Sequence, residues 1–262
     1  MSKVCQLFSG SKGNAIYISS SGGSLLVDAG VSAKRLTCAL SDIGVNPESL
    51  DGILITHEHS DHVGGLRVFA DRYHLPVYAD PRVLEAMKYN GSISEKTDVH
   101  PITQGMETDS VRITPFEQSH DSRACLGFRL DMSDGRSISV CTDTGYVTPS
   151  AKEVMPGSDL VILESNHETT MLQNGPYPYP LKQRILSSKG HLSNYAAAEF
   201  ATELVQSGTT RIVLAHLSQE NNTPDIAYQT TLCALQQNHM KEGYDFRLSV
   251  SEPINTQRPI VL

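Results

Sequence analysis

Four side chains able to bind a divalent metal fall within six positions, His57, His59, Asp61 and His62, in the run His57-Glu58-His59-Ser60-Asp61-His62. Imidazole nitrogen and carboxylate oxygen suit Zn²⁺, Mn²⁺ or iron, and no thiolate stands among them. His57 and His59, two apart, can point into one site. Asp61 and His62 can reach a second cation beside the first. This spacing is far more specific than a lone histidine, and a charged turn carrying histidines by chance is the weaker reading. Two cations side by side would lower the pKa of a shared water and yield hydroxide near neutral pH.

Such ligands need a rigid frame. Gly52-Ile53-Leu54-Ile55-Thr56, just ahead of them, is apolar and β-branched, which predicts a buried strand. A helix is predicted over 65–73, so the ligands are expected on a loop between strand and helix, where a scaffold can hold them. The pattern of an apolar run ending in polar groups recurs down the chain. Asp28 follows Ser24–Val27, His120 follows Val111–Phe116, and Asp143 follows Ser137–Cys141. Glu164 closes the run from Asp159, and His216 follows Arg211–Ala215. In an α/β protein a carboxylate at the C-terminal end of a strand is well placed to enter a cleft. Plainer alternatives exist for each: Asp28 and Asp143 can close turns, and a single His120 can be a surface or core residue. Ser9-Gly10-Ser11-Lys12-Gly13-Asn14 lacks G-x4-G-K-[ST] and precedes a strand, which rejects a P-loop. It is either a loop at the cleft rim, able to meet phosphate through Lys12 or backbone N–H groups, or a plain hairpin turn.

Further strands are predicted at Val4–Phe8, Ala15–Ile18, Pro76–Ala79, Leu126–Leu130 and Tyr244–Ser251, with helices over 33–43, 81–89 and 224–239 and another from Ala196 to Gly208. The tail to Leu262 carries no signal. The 262 residues are 39% hydrophobic and show no linker, repeat or low-complexity tract, so a single α/β domain over 1–262 is expected. No apolar run approaches membrane-spanning length, and a soluble, cytoplasmic protein is expected. The five cysteines lack CxxC spacing and read as buried free thiols of a reducing compartment. A net charge of −8 argues against indiscriminate nucleic-acid binding. It does not exclude a nuclease, because two divalent cations would bring about four positive charges to the cleft.

HxHxDH after an apolar strand resembles the signature of the metallo-β-lactamase fold. Gly175-Pro176-Tyr177-Pro178, Leu181-Lys182-Gln183-Arg184-Ile185 and Gly190-His191-Leu192-Ser193-Asn194 are similar to one branch of it, the YycJ/WalJ-type exonucleases, and the likeness covers nearly the whole chain. The resemblance implies a four-layer αββα sandwich holding two divalent cations, zinc first and manganese or iron as alternatives. It assigns His57, His59 and His120 to one metal and Asp61, His62 and His216 to the other. Asp143 bridges them, and Asp28 steadies the metal loop from behind. The activated water then attacks phosphorus, with Asp61 among the groups that activate it. By similarity to ribonuclease Z, His191 protonates the leaving group, oriented and kept charged by Glu164, although Leu163 stands where that family's motif has a histidine. His167 is a spare. Lys182, Arg184 and Lys189 concentrate positive charge just before His191 and, with Asn194, are expected to contact substrate, though a solvated helix face would look the same.

The implied function is a phosphodiesterase acting on nucleic acid, a 5′→3′ exonuclease on DNA rather than RNA, with no membrane partner. The alternatives are a hydrolase of a small thiolester or cyclic phosphodiester, a di-iron oxidoreductase, and a non-catalytic nucleic-acid-binding module. His59 argues against the oxidoreductase, whose relatives carry an acid there, and the complete ligand set argues against a relic site.

Overall fold

The computed structural model describes residues 1–262. Its strands form two seven-stranded sheets. The first contains β1 (Lys3–Phe8), β2 (Ala15–Ser20), β3 (Gly23–Val27), β4 (Gly52–Leu54), β5 (Val77–Ala79), β6 (Val99–Pro101) and, beyond β1, the C-terminal β14 (Ile260–Val261). The second runs from β7 (Met106–Glu107) through β8 (Val111–Glu117), β9 (Leu126–Met132), β10 (Ser137–Cys141), β11 (Leu160–Glu164) and β12 (Arg211–Ala215) to β13 (Arg247–Val250). In each sheet an antiparallel part meets a parallel one. β3 to β6 are parallel in the first sheet, and β10 to β13 in the second.

Alternation along the strands explains the layers. Leu25 and Val27 of β3 and Leu160 and Ile162 of β11 belong to one cluster between the sheets. Leu26 packs in a second cluster with α1 (Ala33–Asp42), α3 (Leu66–Tyr73) and α4 (Pro81–Asn90). Val161 and Leu163 pack in a third cluster with α5 (Pro149–Val154), α8 (Asn194–Gln206) and α9 (Pro224–Gln237). Successive side chains face opposite sides, so strands covered on both faces read as continuous apolar runs. Three apolar interfaces between four layers make an αββα sandwich, as expected. The remaining helices, α2 (Ser60–Val63), α6 (Thr169–Asn174) and α7 (Tyr179–Leu186), lie in connections rather than in the layers.

Several expectations need correcting. β4 ends at Leu54, and Asp61 and His62 sit in the helical turn α2 rather than in open loop. The last predicted strand covers only Arg247–Val250, because Gly243 N–H donates to the Phe246 carbonyl and ties the preceding residues into a tight turn. The silent tail forms β14, whose Val261 pairs with Lys3, a contact between chain ends that no local pattern encodes. The five cysteines are free, but only Cys5, Cys125 and Cys141 are buried, while Cys38 and Cys233 are exposed on α1 and α9. No helix is long and apolar enough to cross a membrane.

Candidate metal centre

The predicted site residues converge at one edge of the sandwich, beyond the C-terminal ends of β3, β4, β10, β11 and β12. Asp28 and His216 take the first position after a strand and Asp143 the second, and all three (Asp28, Asp143 and His216) adopt left-handed backbone with φ of 63°, 66° and 57°. That conformation is uncommon for residues other than glycine and gathers at functional sites, where the surrounding structure must hold it. Here it turns the chain sharply, so that each side chain points across the strand ends.

Two triads stand side by side. The rings of His57, His59 and His120 lie with centroids 4.6, 5.0 and 5.1 Å apart. Asp61 Oδ2 lies 3.6 Å from His62 Nε2 and 3.8 Å from His216 Nε2. Asp143 stands between the triads, with Oδ2 3.3 Å from His62 Nε2 and Oδ1 3.4 Å from His216 Nδ1. Within each triad the ligand atoms lie within 4.8 Å of one another. Nε2 of His57, Nε2 of His216 and Oδ2 of Asp143 are buried without any hydrogen-bond partner. Unpaired buried polar atoms are costly, and cations among them would satisfy all three. These His/Asp clusters are able to bind metal ions, and their nitrogen and oxygen donors match Zn²⁺, Mn²⁺ or iron.

Supporting contacts orient the ligands. Asp28 accepts the Thr56 N–H at 2.9 Å and lies 2.7 Å from His62 Nδ1, which leaves Nε2 of His62 aimed at the triad. Glu58 accepts the Arg123 N–H at 2.8 Å and ties the metal loop to the segment carrying His120. The loop from Ser9 to Asn14 is part of this frame. Asn14 N–H donates to the Asp61 carbonyl at 2.8 Å, and Gly30 N–H donates to the Asn14 carbonyl at 2.9 Å. Lys12 is exposed, and only Ser11 of that loop lines the cleft. A Cβ on Gly30 would stand 1.7 Å from the Asp61 carbonyl oxygen and 2.6 Å from Asn14 N. Gly30→Ala is therefore expected to cost about 1–3 kcal/mol and to weaken metal binding, read by urea unfolding with and without metal. An unchanged midpoint in both would show that the loops are not clamped there.

Electrostatics divide the histidines of the site. Burial holds the His57 imidazolium well below its ordinary pKa, helped by His62 beside it, and burial also lowers His120. At His62 burial acts the same way, but Asp143 and Asp28 outweigh it and raise the group. At His216 burial is again outweighed, by Asp143, Asp61 and Glu164, which push it up to about 10. The same carboxylates attract protons or cations, so metal uptake displaces protons.

Glu164 is fully buried and serves two histidines. Its Oε1 lies 2.7 Å from His191 Nδ1 and 2.9 Å from His216 Nδ1, while Oε2 accepts the Thr144 and Leu192 N–H groups at 2.8 and 3.1 Å. Burial alone would raise this carboxyl, but His191 and His216 bring it down to about 2. The His191 ring stands 5.1 Å from that of His120 and 5.3 Å from that of His216, facing both triads across the cleft.

The expected substrate contacts divide. Arg184 lines the cleft and is paired with Asp121. Lys182 turns away to the Gln173 carbonyl at 2.8 Å, and Lys189 is exposed outside the cleft lining. Asn194 is a correction: it is only 2% exposed and bonded to Ser165 and Asn222, because its helix start is pinned into the second half of the sandwich. Ser193, not Asn194, caps α8. His167 is buried and does not line the cleft. Sequence reasoning missed Thr56, Asn14, Tyr177, Leu181 and Ile185, of which the last three lie in motifs already noticed for their resemblance.

A model of the Beta-lactamase superfamily domain matches residues 24–217. The chain belongs to this superfamily of metal-dependent hydrolases, in the branch of the WalJ/YycJ exodeoxyribonucleases. It is 39% identical to exodeoxyribonuclease WalJ of Streptococcus pneumoniae, over 98% of this chain and 97% of that one. It is 35% identical to exodeoxyribonuclease YycJ of Bacillus anthracis, over 94% of each. Among solved structures, the metallo-β-lactamase fold protein YhfI from Bacillus subtilis superposes with a TM-score of 0.71, at 20% identity over 97% of this chain and 98% of that one. That likeness speaks for the fold alone.

Proposed function

We propose that this protein is a dinuclear metal-dependent exodeoxyribonuclease that removes nucleotides from the 5′ end of DNA. The observation that carries the reading is the placement of His191, held by Glu164 at 2.7 Å and facing both triads. The relationship to WalJ and YycJ supplies the DNA substrate and the exonuclease mode. His57, His59 and His120 would hold one cation and Asp61, His62 and His216 the other, with Asp143 between them. Zinc is the first expectation, manganese or iron the alternatives. Cations held there supply Lewis acidity and a nucleophile drawn from water near neutral pH.

The chain's own residues do the rest. Asp28 fixes the orientation of His62, and Asp143 would offset the repulsion between two cations held by the triads. Arg184 offers a guanidinium to the substrate phosphate, which would replace Asp121 as its partner. Glu164 occupies His191 Nδ1, so Nε2 is the atom left to hand a proton to the departing oxygen. Burial lowers the His191 imidazolium, but Glu164 outweighs it and raises the group above its ordinary value.

The test is product analysis on end-labelled single-stranded DNA and RNA, with Zn²⁺, Mn²⁺ or Fe²⁺ returned to stripped protein. Mononucleotides released progressively from a 5′-phosphorylated DNA end are expected, and none from stripped protein. Intact oligonucleotides under every metal, alongside cleavage of a thiolester or small cyclic phosphodiester, would replace the nucleic-acid reading with a small-substrate hydrolase.

A further inference from the structure

The wall of the cleft opposite the metal loop is α7 and the residues entering it. α7 buries none of its side chains in the core. Amphipathic helices ordinarily gain stability by laying an apolar stripe on a core, so an apolar face on this helix must meet something else. Leu181, Arg184 and Ile185 line the cleft from one face of α7, at i, i+3 and i+4 spacing, and Tyr177, two residues ahead of the helix, lines it beside them. Three apolar groups and one cation therefore face a floor made of Asp61, Asp143, His59 and His191. Tyr177 is half-buried, with its ring available on the cleft side.

A ligand matching this arrangement carries an anion toward Arg184 and the metal floor, and a flat apolar group toward Tyr177. A nucleotide has both. The cleft holds about 240 Å³, below the few hundred Å³ of sites that enclose a drug-sized ligand. That is too little to enclose a base pair.

Building on the exonuclease reading, we propose that the Tyr177–Leu181–Ile185 face is a nucleobase subsite, where Tyr177 stacks on the base of a single unpaired terminal nucleotide while Arg184 takes its phosphate. Stacking tolerates any base, because every base offers a π-face, and alanine substitution of such an aromatic costs about ten- to a hundredfold in binding. The subsite selects a frayed or single-stranded end. It makes the enzyme indifferent to which base stands there.

The experiment compares two 5′-phosphorylated DNA strands of one sequence, differing only in whether the terminal residue carries a base or is an abasic tetrahydrofuran. The holoenzyme and its Tyr177→Ala and Tyr177→Phe variants are assayed on both. Holoenzyme release of nucleotides from the ordinary strand tests the exonuclease reading by itself, and an uncut strand overturns that reading and this subsite together. With the ordinary strand cut, the holoenzyme is expected to favour it over the abasic strand by about ten- to a hundredfold in kcat/KM, mainly through KM. Tyr177→Ala should compress that ratio to about threefold or less, and Tyr177→Phe should preserve it. A holoenzyme with no preference overturns the subsite. So does a Tyr177→Ala loss that is equal on both strands, which would make Tyr177 a structural support, or loss of the preference in Tyr177→Phe, which would assign the effect to the hydroxyl.

Discussion

Asp143→Asn is expected to retain one metal ion instead of two and to lose hydrolysis by about a thousandfold, the several kcal/mol that a second Lewis acid supplies. Asparagine is the informative substitution because Asp143 sits at φ 66°, and Asn tolerates left-handed backbone where Ala does not. The variant keeps the shape and the turn and removes only the charge. That charge has a specific task. Asp143 Oδ2 is buried and unpaired, and His62 and His216 flank the carboxylate at 3.3 and 3.4 Å. Burial opposes its ionisation, yet His216 and His62 hold the carboxyl well below its usual range. Two divalent cations brought to this spot repel each other unless a carboxylate lies between them. Metal content, circular dichroism and kcat/KM measured on one preparation decide the matter. A folded variant with two bound ions and full activity would remove Asp143 from the metal scheme.

His191→Ala is expected to lower kcat by about a hundred- to ten-thousandfold while both metal ions stay bound. Its distance from Glu164 and its position across the cleft suit an acid, not a ligand. The loss should shrink greatly on a p-nitrophenyl phosphodiester, whose leaving group departs without needing a proton. The pH profile carries the sign. Burial lowers His191, but Glu164 outweighs it and raises the group above its ordinary value, so the acid keeps its proton to higher pH than a free histidine and the rate falls on the alkaline side, as that proton is lost. Glu164→Gln removes the partner and should move this alkaline limb to lower pH. It should also disturb the second metal, because Glu164 lies 2.9 Å from His216 Nδ1. Loss of a metal ion from His191→Ala would make His191 a ligand, consistent with its place beside Asp143 and His216 in one cluster.

Local chemistry was legible where it is dense. His57, His59, Asp61 and His62 announce a metal site because four ligands share one short segment after an apolar run, and such a coincidence needs no tertiary information. The strands that end in Asp28, Asp143, Glu164 and His216 were legible for a related reason. Strands buried on both faces are largely apolar, so the first ionisable residue at the end of each stands out. Two boundaries were misjudged by residue counts that only tertiary contacts settle, the early end of β4 and the helical turn α2 under Asp61 and His62.

Which of the strand-end groups meet was decided by the stacking of two sheets. That stacking brings His120, Asp143 and His216 against the metal loop from 58 or more positions away in the chain. The same holds for partners within the site. Asn14 lies 47 residues from Asp61, whose carbonyl its side-chain amide also reaches, and Glu164 lies 52 from His216. Residues so far apart leave no periodic trace, so Asn14 looked like a turn residue and Thr56 like the end of a strand. The basic run misled in the opposite way. Charge is visible in composition, but direction is not. Lys182, Arg184 and Lys189 look equivalent along the chain, and only the orientation of α7 turns Arg184 into the cleft while sending Lys182 to the Gln173 carbonyl. The sequence by itself determined that the chain carries a set of nitrogen and oxygen metal ligands, because ligand types and strand-end spacing are local. The tertiary structure brought those ligands within reach of one another and decided which groups of the basic run line the cleft, because both depend on how separate elements stack.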